Sequence, residues 1–368
     1  MPAAAAVLRS RAMTLLAIYE KVEAVLKKLP EGLHRPILRE LEPLKTLFLE
    51  QRGPRIVLLG ERSVSRAGLV NHLYDAEVAR PTEDIGQSGT WEIFSLPGRG
   101  TLYILDARRP IAVPMLSRAL ATHGPDLFLF VRASTTIDEA CANDLDHALE
   151  VIAFSDRQHS DRPKLFGIQS GAGSGEDQRL ELHGALFTKP ELAERTAGVI
   201  LESHRAKLIE QIAIELPPVA QLEMARLSLN RDLQRQIAGV LIKSVTAMSG
   251  AIGAQPIPLA DFPILTSLQG TMVASIAHIS GREFNAKAAG EFLGALGASI
   301  GAGLVFREGA RAAAKFVPGW GNAISGGVAA TGTYAVGRAA VAYFIDGVSL
   351  SDARQIFKRG KPAGLLKK

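Results

Sequence analysis

The sequence has little cysteine, few aromatic side chains and, from residue 244 to 345, little charge. Cys141 is the only cysteine, so no disulfide can form within the chain, which is consistent with a reducing compartment. Aromatic residues make up 6% of the chain, whereas glycine contributes 35 of its 368 residues. The apolar content is therefore mostly aliphatic and small, which suits closely packed helices. Aromatic residues do not alternate with basic ones, so we predict no nucleic-acid partner.

Signals for metal binding and for secretion are also missing. The eight histidines show no H-x-x-x-H spacing, and a single cysteine cannot form C-x-x-C, so the sequence predicts no zinc site. The first eight residues contain an alanine run without a continuous apolar core. We therefore predict no secretory signal.

Between residues 54 and 216, short apolar runs alternate with helical patterns. Four of these runs are predicted to be buried strands: 55–59, 101–106, 126–131 and 164–168. Helices are predicted over 138–154 and 199–214. Strands that alternate with helices indicate the α/β class, with a doubly wound and mostly parallel sheet.

Changes in composition divide the rest of the chain. Residues 1–53 are predicted to form an N-terminal helical segment, because apolar residues recur there at helical spacing. Pro217-Pro218 marks the end of the α/β region at residue 216. Residues 217–350 are predicted to be an all-α domain rich in glycine and alanine, which begins with a charged helix over 219–243. A basic tail, 351–368, follows it.

The loop after the first strand has the position of a phosphate-binding loop but only part of its sequence. The working pattern is G-x-x-x-x-G-K-[ST], in which backbone N–H groups and a helix N-terminus attract phosphate. Gly60 supplies the first glycine. Ser65 replaces the second glycine, Arg66 the lysine, and Ala67 the hydroxyl residue that holds magnesium. The alternative is a loop that only joins strand to helix.

Three further positions belong to the same type of site. Asp106 ends the second predicted strand, where a carboxylate holds magnesium in P-loop proteins, but the glycine of D-x-x-G does not follow it. Thr90 lies where a switch threonine could lie, and an ordinary surface threonine is the alternative. Gln169–Ala172 replace N-K-x-D and offer no carboxylate to a guanine ring; the pattern does not place the nearby Asp177 there.

In strand order and loop placement, residues 54–215 resemble the Era/TrmE-like branch of small bacterial GTPases. The resemblance implies a Ras-like P-loop NTPase fold, with GTP and magnesium as cofactors. It also implies a nucleotide site at these positions: Gly60, Ser65, Arg66, Ala67 and Asp106, with magnesium at Asp106. Because the lysine and the hydroxyl are replaced, we predict a pseudo-GTPase and assign no catalytic residue. A GTPase that works with atypical motifs is the alternative.

A second resemblance covers about residues 240–350. It rests on five segments: Pro256–Asp261, Leu265–Gln269, Lys315–Asn322, Thr331–Gly337 and Tyr343-Phe344. These resemble the YcjF-type domain of unknown function that follows G domains in many bacterial GTPases. The resemblance implies an α-helical, membrane-associated module.

Glycine spacing and uncharged runs support close helix packing in this region. Gly290 and Gly294 are four residues apart, as are Gly297 and Gly301, a spacing that lets helix backbones approach in membranes. Residues 316–337 form an uncharged run of 22 residues, near the roughly 20 that span a bilayer. The match to G-x-S-x-G at 297–301 lies in a helix-like run, so we do not interpret it as a nucleophile. A soluble bundle is the alternative.

Together these patterns predict a degenerate G domain that acts as a switch or scaffold and is coupled to a membrane-associated helical domain. The partners we expect are membrane lipid, an unidentified protein and a second copy of the chain. The expected location is the cytoplasm, with peripheral or integral attachment to the inner membrane. An oligomerising, membrane-inserting protein with a regulatory α/β domain is the remaining alternative.

Overall fold

The computed structural model describes residues 50–80, 89–133, 138–170, 182, 184–186, 188–201, 205–254, 261–282, 286–297 and 321–360. The chain falls into two compact units: an α/β unit, Arg52–Asn230, and a second unit made of Met1–Gln51 and Arg231–Lys368, here the helical unit, whose described helices all begin at Arg231 or later. The helices predicted for the N-terminal segment and the end of the basic tail lie outside the described residues.

A six-stranded sheet forms the centre of the α/β unit as described. Its strands are β1 Arg55–Gly60, β2 Trp91–Ser95, β3 Thr101–Asp106, β4 Leu127–Arg132, β5 Lys164–Gln169 and β6 Thr196–Leu201, in the order β2-β3-β1-β4-β5-β6. β2 is antiparallel to β3, and every other neighbouring pair is parallel. The predicted α/β class with a mostly parallel sheet is confirmed.

Helices cover both faces of this sheet. They are α1 Arg66–Tyr74, α2 Val113–Thr122, α3 Glu139–Gln158, α4 Pro190–Ala193, α5 Arg205–Glu215 and α6 Pro218–Ser228. On one face, Val57 and Phe128 share a buried cluster with residues of α2 and α3, whereas α6 contacts β3 and α5 contacts β6. Strands buried on both faces read as continuous apolar runs, which is why the sequence indicated them.

Two strands differ from the prediction. β2 was not predicted, because it lies at the edge of the sheet and only Phe94 among its residues is buried. The helix predicted over 199–214 is wrong in its first part, since β6 includes residues 199–201 and α5 begins at Arg205. A short apolar run before a helical pattern fits a strand as well as the first turn of a helix. Only the pairing of residues 196–201 with β5 shows that this run is a strand.

The helical unit confirms a helical C-terminal region. Its described helices are α7 Arg231–Gly253, α8 Asp261–Ile279, α9 Ala286–Gly297, α10 Gly321–Phe344 and α11 Leu350–Arg359. α7 packs along α10, and α8 contacts α7, α9 and α10. The single helix predicted over 219–243 is wrong: α6 ends at Ser228, its C-cap Leu229 has a left-handed φ of 52°, and α7 starts at Arg231.

Candidate functional site

The loop leaves the sheet at Gly60, beside the end of β4. Gly60 has a φ of 93°, and a Cβ there would collide with the carbonyl oxygen of Val131 and lie 3.0 Å from its nitrogen. The next residue, Glu61, donates its backbone N–H to the same Val131 oxygen at 2.8 Å. Only glycine accepts this backbone conformation without strain, so the residue that begins the predicted phosphate loop is required by the turn itself.

Ser65 begins the helix that follows the loop. It is the N-cap of α1, and its hydroxyl accepts a hydrogen bond from the backbone N–H of Gly68 at 3.0 Å. A phosphate at a helix N-terminus is bound by such N–H groups. At Ser65 the protein therefore satisfies one of these donors with its own side chain.

Arg66 and Ala67, the positions of the lysine and the hydroxyl, are both buried. The Arg66 guanidinium, at the start of α1, forms an ion pair with Glu92 on β2, so a carboxylate of the chain balances its charge. Ala67 has no oxygen that could bind a metal. Thr90, the switch candidate, is exposed and directly precedes β2.

Asp106 is held by an arginine that the sequence analysis did not assign to the site. Arg108 donates from Nε to Oδ1 at 2.9 Å and from Nη2 to Oδ2 at 2.7 Å, and both side chains are buried. Burial by itself would raise the pKa of Asp106. The hydrogen bonds and charge of Arg108, aided by Arg66, outweigh that effect and hold the pKa below its ordinary value.

The same guanidinium also contacts the loop. Nη1 of Arg108 donates to the carbonyl oxygens of Glu61, at 3.3 Å, and of Val64. A phosphate-binding loop presents N–H groups to its ligand. Here two carbonyl oxygens of the loop accept hydrogen bonds from Arg108, so a side chain of the protein itself, and not a ligand, binds the loop. The signal in the sequence was an arginine in the D-x-x-G segment, two residues after the aspartate.

The loop also carries a carboxylate, Glu61. Glu61 accepts hydrogen bonds from the backbone N–H of Ala133, at 3.0 Å, and from the Ser63 hydroxyl. Burial raises the pKa of Asp144, and the charge of Glu61 adds to the rise, while Arg109 and other cations oppose it. A phosphate placed here would meet the negative charge of Glu61 as well as nearby arginines.

The end of β5, where a guanine-binding aspartate is expected, carries Gln169. Its side chain is buried and donates from Nε2 to the carbonyl oxygen of Ala133 at 3.1 Å. Ser170 follows and donates its N–H to the Arg132 carbonyl at 2.7 Å. Gly171, Ala172 and Asp177 lie outside the described residues.

Magnesium and GTP do not fit the residues present. The carboxylate that would hold the metal is doubly bonded to Arg108, the adjacent hydroxyl is missing at Ala67, and the loop carbonyls bind a cationic side chain. Within the described ranges there is also no cluster of three or more histidine, cysteine, aspartate or glutamate residues that could hold another metal.

Close helix contacts in the helical unit involve glycines other than the predicted ones. A Cβ on Gly326 would lie 2.8 Å from the Gly250 carbonyl oxygen, where α10 meets α7. Gly290 and Gly294 lie on the exposed side of α9, with no described atom within 4 Å of an added Cβ. Gly297 ends α9, and Gly301 lies outside the described residues.

Only α7, among the described helices, is long and apolar enough to cross a membrane. More than half of its apolar window is buried within the protein. A core helix of a bundle has the same properties, so the feature is weak support for a membrane span. Of the uncharged run 316–337, the described part belongs to α10.

Comparison with known families gives one match. Residues 220–359 match the family described as "Domain of unknown function (DUF697)". This match spans α6 to α11 and fits the resemblance of the C-terminal region to a YcjF-type helical domain. No curated protein matches the chain.

Proposed function

We propose that the α/β unit is a degenerate GTPase-like domain that works without bound nucleotide, as a scaffold or partner-driven switch, and that the helical domain attaches it to a membrane. The observation that carries this proposal is the Arg108 guanidinium, which bonds Asp106 and two loop carbonyls. An internal cation that satisfies these groups removes the need for magnesium at the loop. The mostly parallel sheet with a glycine-led loop after β1 supports a Ras-like fold.

The membrane part of the proposal has separate support. The C-terminal region resembles a membrane-linked module, and α7 has the length and apolarity of a span. Small residues bring α7 and α10 into close contact, which is a way for helices to pack in lipid as well as in water.

Binding of a fluorescent GTP analogue to the full chain, with magnesium, tests the nucleotide part. We expect no saturable binding up to about 100 μM, a range in which working nucleotide sites are filled. Arg66→Ala is the test variant, and Arg62→Ala, an exposed arginine of the same loop, is the control. Micromolar binding that Arg66→Ala abolishes and Arg62→Ala leaves intact would favour the GTPase alternative.

Flotation of the full chain with anionic phospholipid vesicles tests the membrane part. We expect the protein to rise with the vesicles and to be released by alkaline carbonate, as a peripheral protein is. Resistance to carbonate would favour the membrane-inserting alternative. Protein that stays at the bottom of the gradient would refute membrane attachment and leave the scaffold proposal standing.

A further inference from the structure

The matched family begins inside a helix of the α/β unit. The match starts at residue 220, within α6, yet the structural division comes later, between Asn230 and Arg231. α6 contacts α1, α5 and β3. By sequence family, therefore, α6 belongs with the helical domain, whereas by packing it belongs to the α/β unit.

A buried ion pair fixes α6 against the turn that precedes β3. Arg226 is 1% exposed and donates from Nη1 to Oε1 of Glu223 at 2.7 Å. The other carboxylate oxygen of Glu223 accepts the backbone N–H of Thr101 at 2.9 Å, and Nη2 of Arg226 donates to the Gly98 carbonyl at 3.3 Å. A buried pair adds little net stability, because desolvation offsets its attraction, but it penalises any other placement of the helix.

The turn itself is shaped to receive the helix. A Cβ on Gly100 would collide with the Glu223 carbonyl oxygen, so the turn and α6 are in close backbone contact. The hydroxyl of Tyr74 donates toward the carbonyl oxygens of Phe94 and Gly100, at 2.9 and 2.8 Å. Tyr74 of α1 therefore also holds the turn in place, in addition to the contacts from α6.

Two arginines from separate segments bind the C-terminal carbonyls of α6. Arg99, in the turn, donates from Nε to the Leu227 oxygen at 3.0 Å and also contacts the Arg226 oxygen. Arg205, at the start of α5, donates from Nη2 to the Ser228 oxygen at 2.8 Å. The last carbonyls of a helix lack partners within it and carry partial negative charge, so cations are favoured there.

We propose that α6 is the docking helix of the domain of unknown function. Its docking surface on the α/β unit of the same chain is made by Arg99, Arg205 and the turn at Gly98–Thr101. The Glu223–Arg226 pair sets the placement of the helix, and the two arginines hold its end. This inference is independent of whether nucleotide or membrane is bound.

Hydrogen exchange of the full chain tests the proposal. Arg99→Ala combined with Arg205→Ala removes the clamp, and Arg118→Ala combined with Arg162→Ala, at exposed arginines of the same unit, is the matched control. We expect amides 223–228 to exchange at least ~10-fold faster in the first variant, with β1 and β4 unchanged, because a docked helix opens as a local unit. The control should exchange like the parent.

Two results would overturn the proposal. Unchanged exchange in α6 would mean that the arginines do not hold it, and equal acceleration in α6, β1 and β4 would make α6 an ordinary part of the core. If the alanine variant does not fold, Arg99→Lys with Arg205→Lys keeps both charges and loses the planar fork. Because the same arginines also donate to the carbonyls of His72, Leu73 and Tyr74 at the end of α1, a smaller acceleration is then expected in α6 and at that end of α1, with β1 and β4 unchanged. The same two results would refute the proposal.

Discussion

Arg108 binds both carboxylate oxygens of Asp106 across a single intervening residue, Ala107, which is itself fully buried. The pair lies at the carboxyl end of β3. The loop after Gly60 begins at the carboxyl end of β1, the neighbouring parallel strand. Because both partners lie in one short segment, the contact needs no ligand and no partner chain. It makes the loop, the aspartate and the arginine one bonded group.

Removal of Arg108 should destabilise the α/β unit strongly. Arg108→Ala leaves the Asp106 carboxylate buried without its partner, which typically costs about 3–5 kcal/mol. Arg109→Ala is the control, since this neighbour is 45% exposed and lies 3.7 Å from Asp144, so its loss should cost less than about 1 kcal/mol. Urea denaturation measures the free energy of unfolding of both variants, and hydrogen exchange of the β1 amides measures the stability of the sheet in each. Similar losses in the two variants would show that the buried pair has no special role.

The stability of the protein should depend on the ionisation of Asp106. Its pKa is below the ordinary value of 3.8, so the unfolded chain binds a proton more readily than the folded one. The stabilisation is fully present above pH 3.8 and is lost as the pH falls through the folded pKa. Asp106→Asn should thus be less stable than the parent near neutral pH, and the difference should shrink in strong acid. Denaturation curves across this range test it; a difference that does not vary with pH would contradict the assignment.

Gly60 should not tolerate a side chain. Gly60→Ala combines a left-handed backbone, which costs about 1–2 kcal/mol for a residue with a Cβ, with the collision at Val131. Gly198→Ala is the matched control, because Gly198 also has a positive φ, 139°, but no atom within 4 Å of the added Cβ. We expect Gly60→Ala to lose about 1–3 kcal/mol more than the control, as measured by urea denaturation. An equal loss would mean that the backbone strain alone matters.

Two glycines of α10 should respond to alanine in opposite directions. A Cβ on Gly337 would lie 2.6 Å from Cγ1 of Ile242 on α7, and such overpacking costs about 1–3 kcal/mol. A Cβ on Gly332 would meet nothing within 4 Å, so alanine there should stabilise the helix by about 0.5–1 kcal/mol. Thermal unfolding followed by circular dichroism distinguishes the two. Stabilisation by both substitutions would show that Gly337 does not lie at the contact between α7 and α10.

The sheet was predictable where its strands are buried on both faces. Apolar runs in the sequence predict four of the strands: β1, β3, β4 and β5. The loop after β1 was predicted from its glycine and from the helical pattern that follows it. β2 has only one buried residue, and β6 adjoins a helix. Their strand structure comes from pairing with a neighbour, which local pattern does not record.

Residue identity and local order are enough to predict that a mostly parallel α/β unit precedes a glycine-rich helical one. They also show that Arg66 and Ala67 replace the lysine and the hydroxyl residue of a phosphate-binding loop. The contacts of Arg108 with the loop, and the packing of α6 in the α/β unit, are seen only in the folded protein. Arg226 and Gly98, which meet there, are 128 residues apart in the chain. Such a contact depends on how the whole unit folds, and no local spacing encodes it.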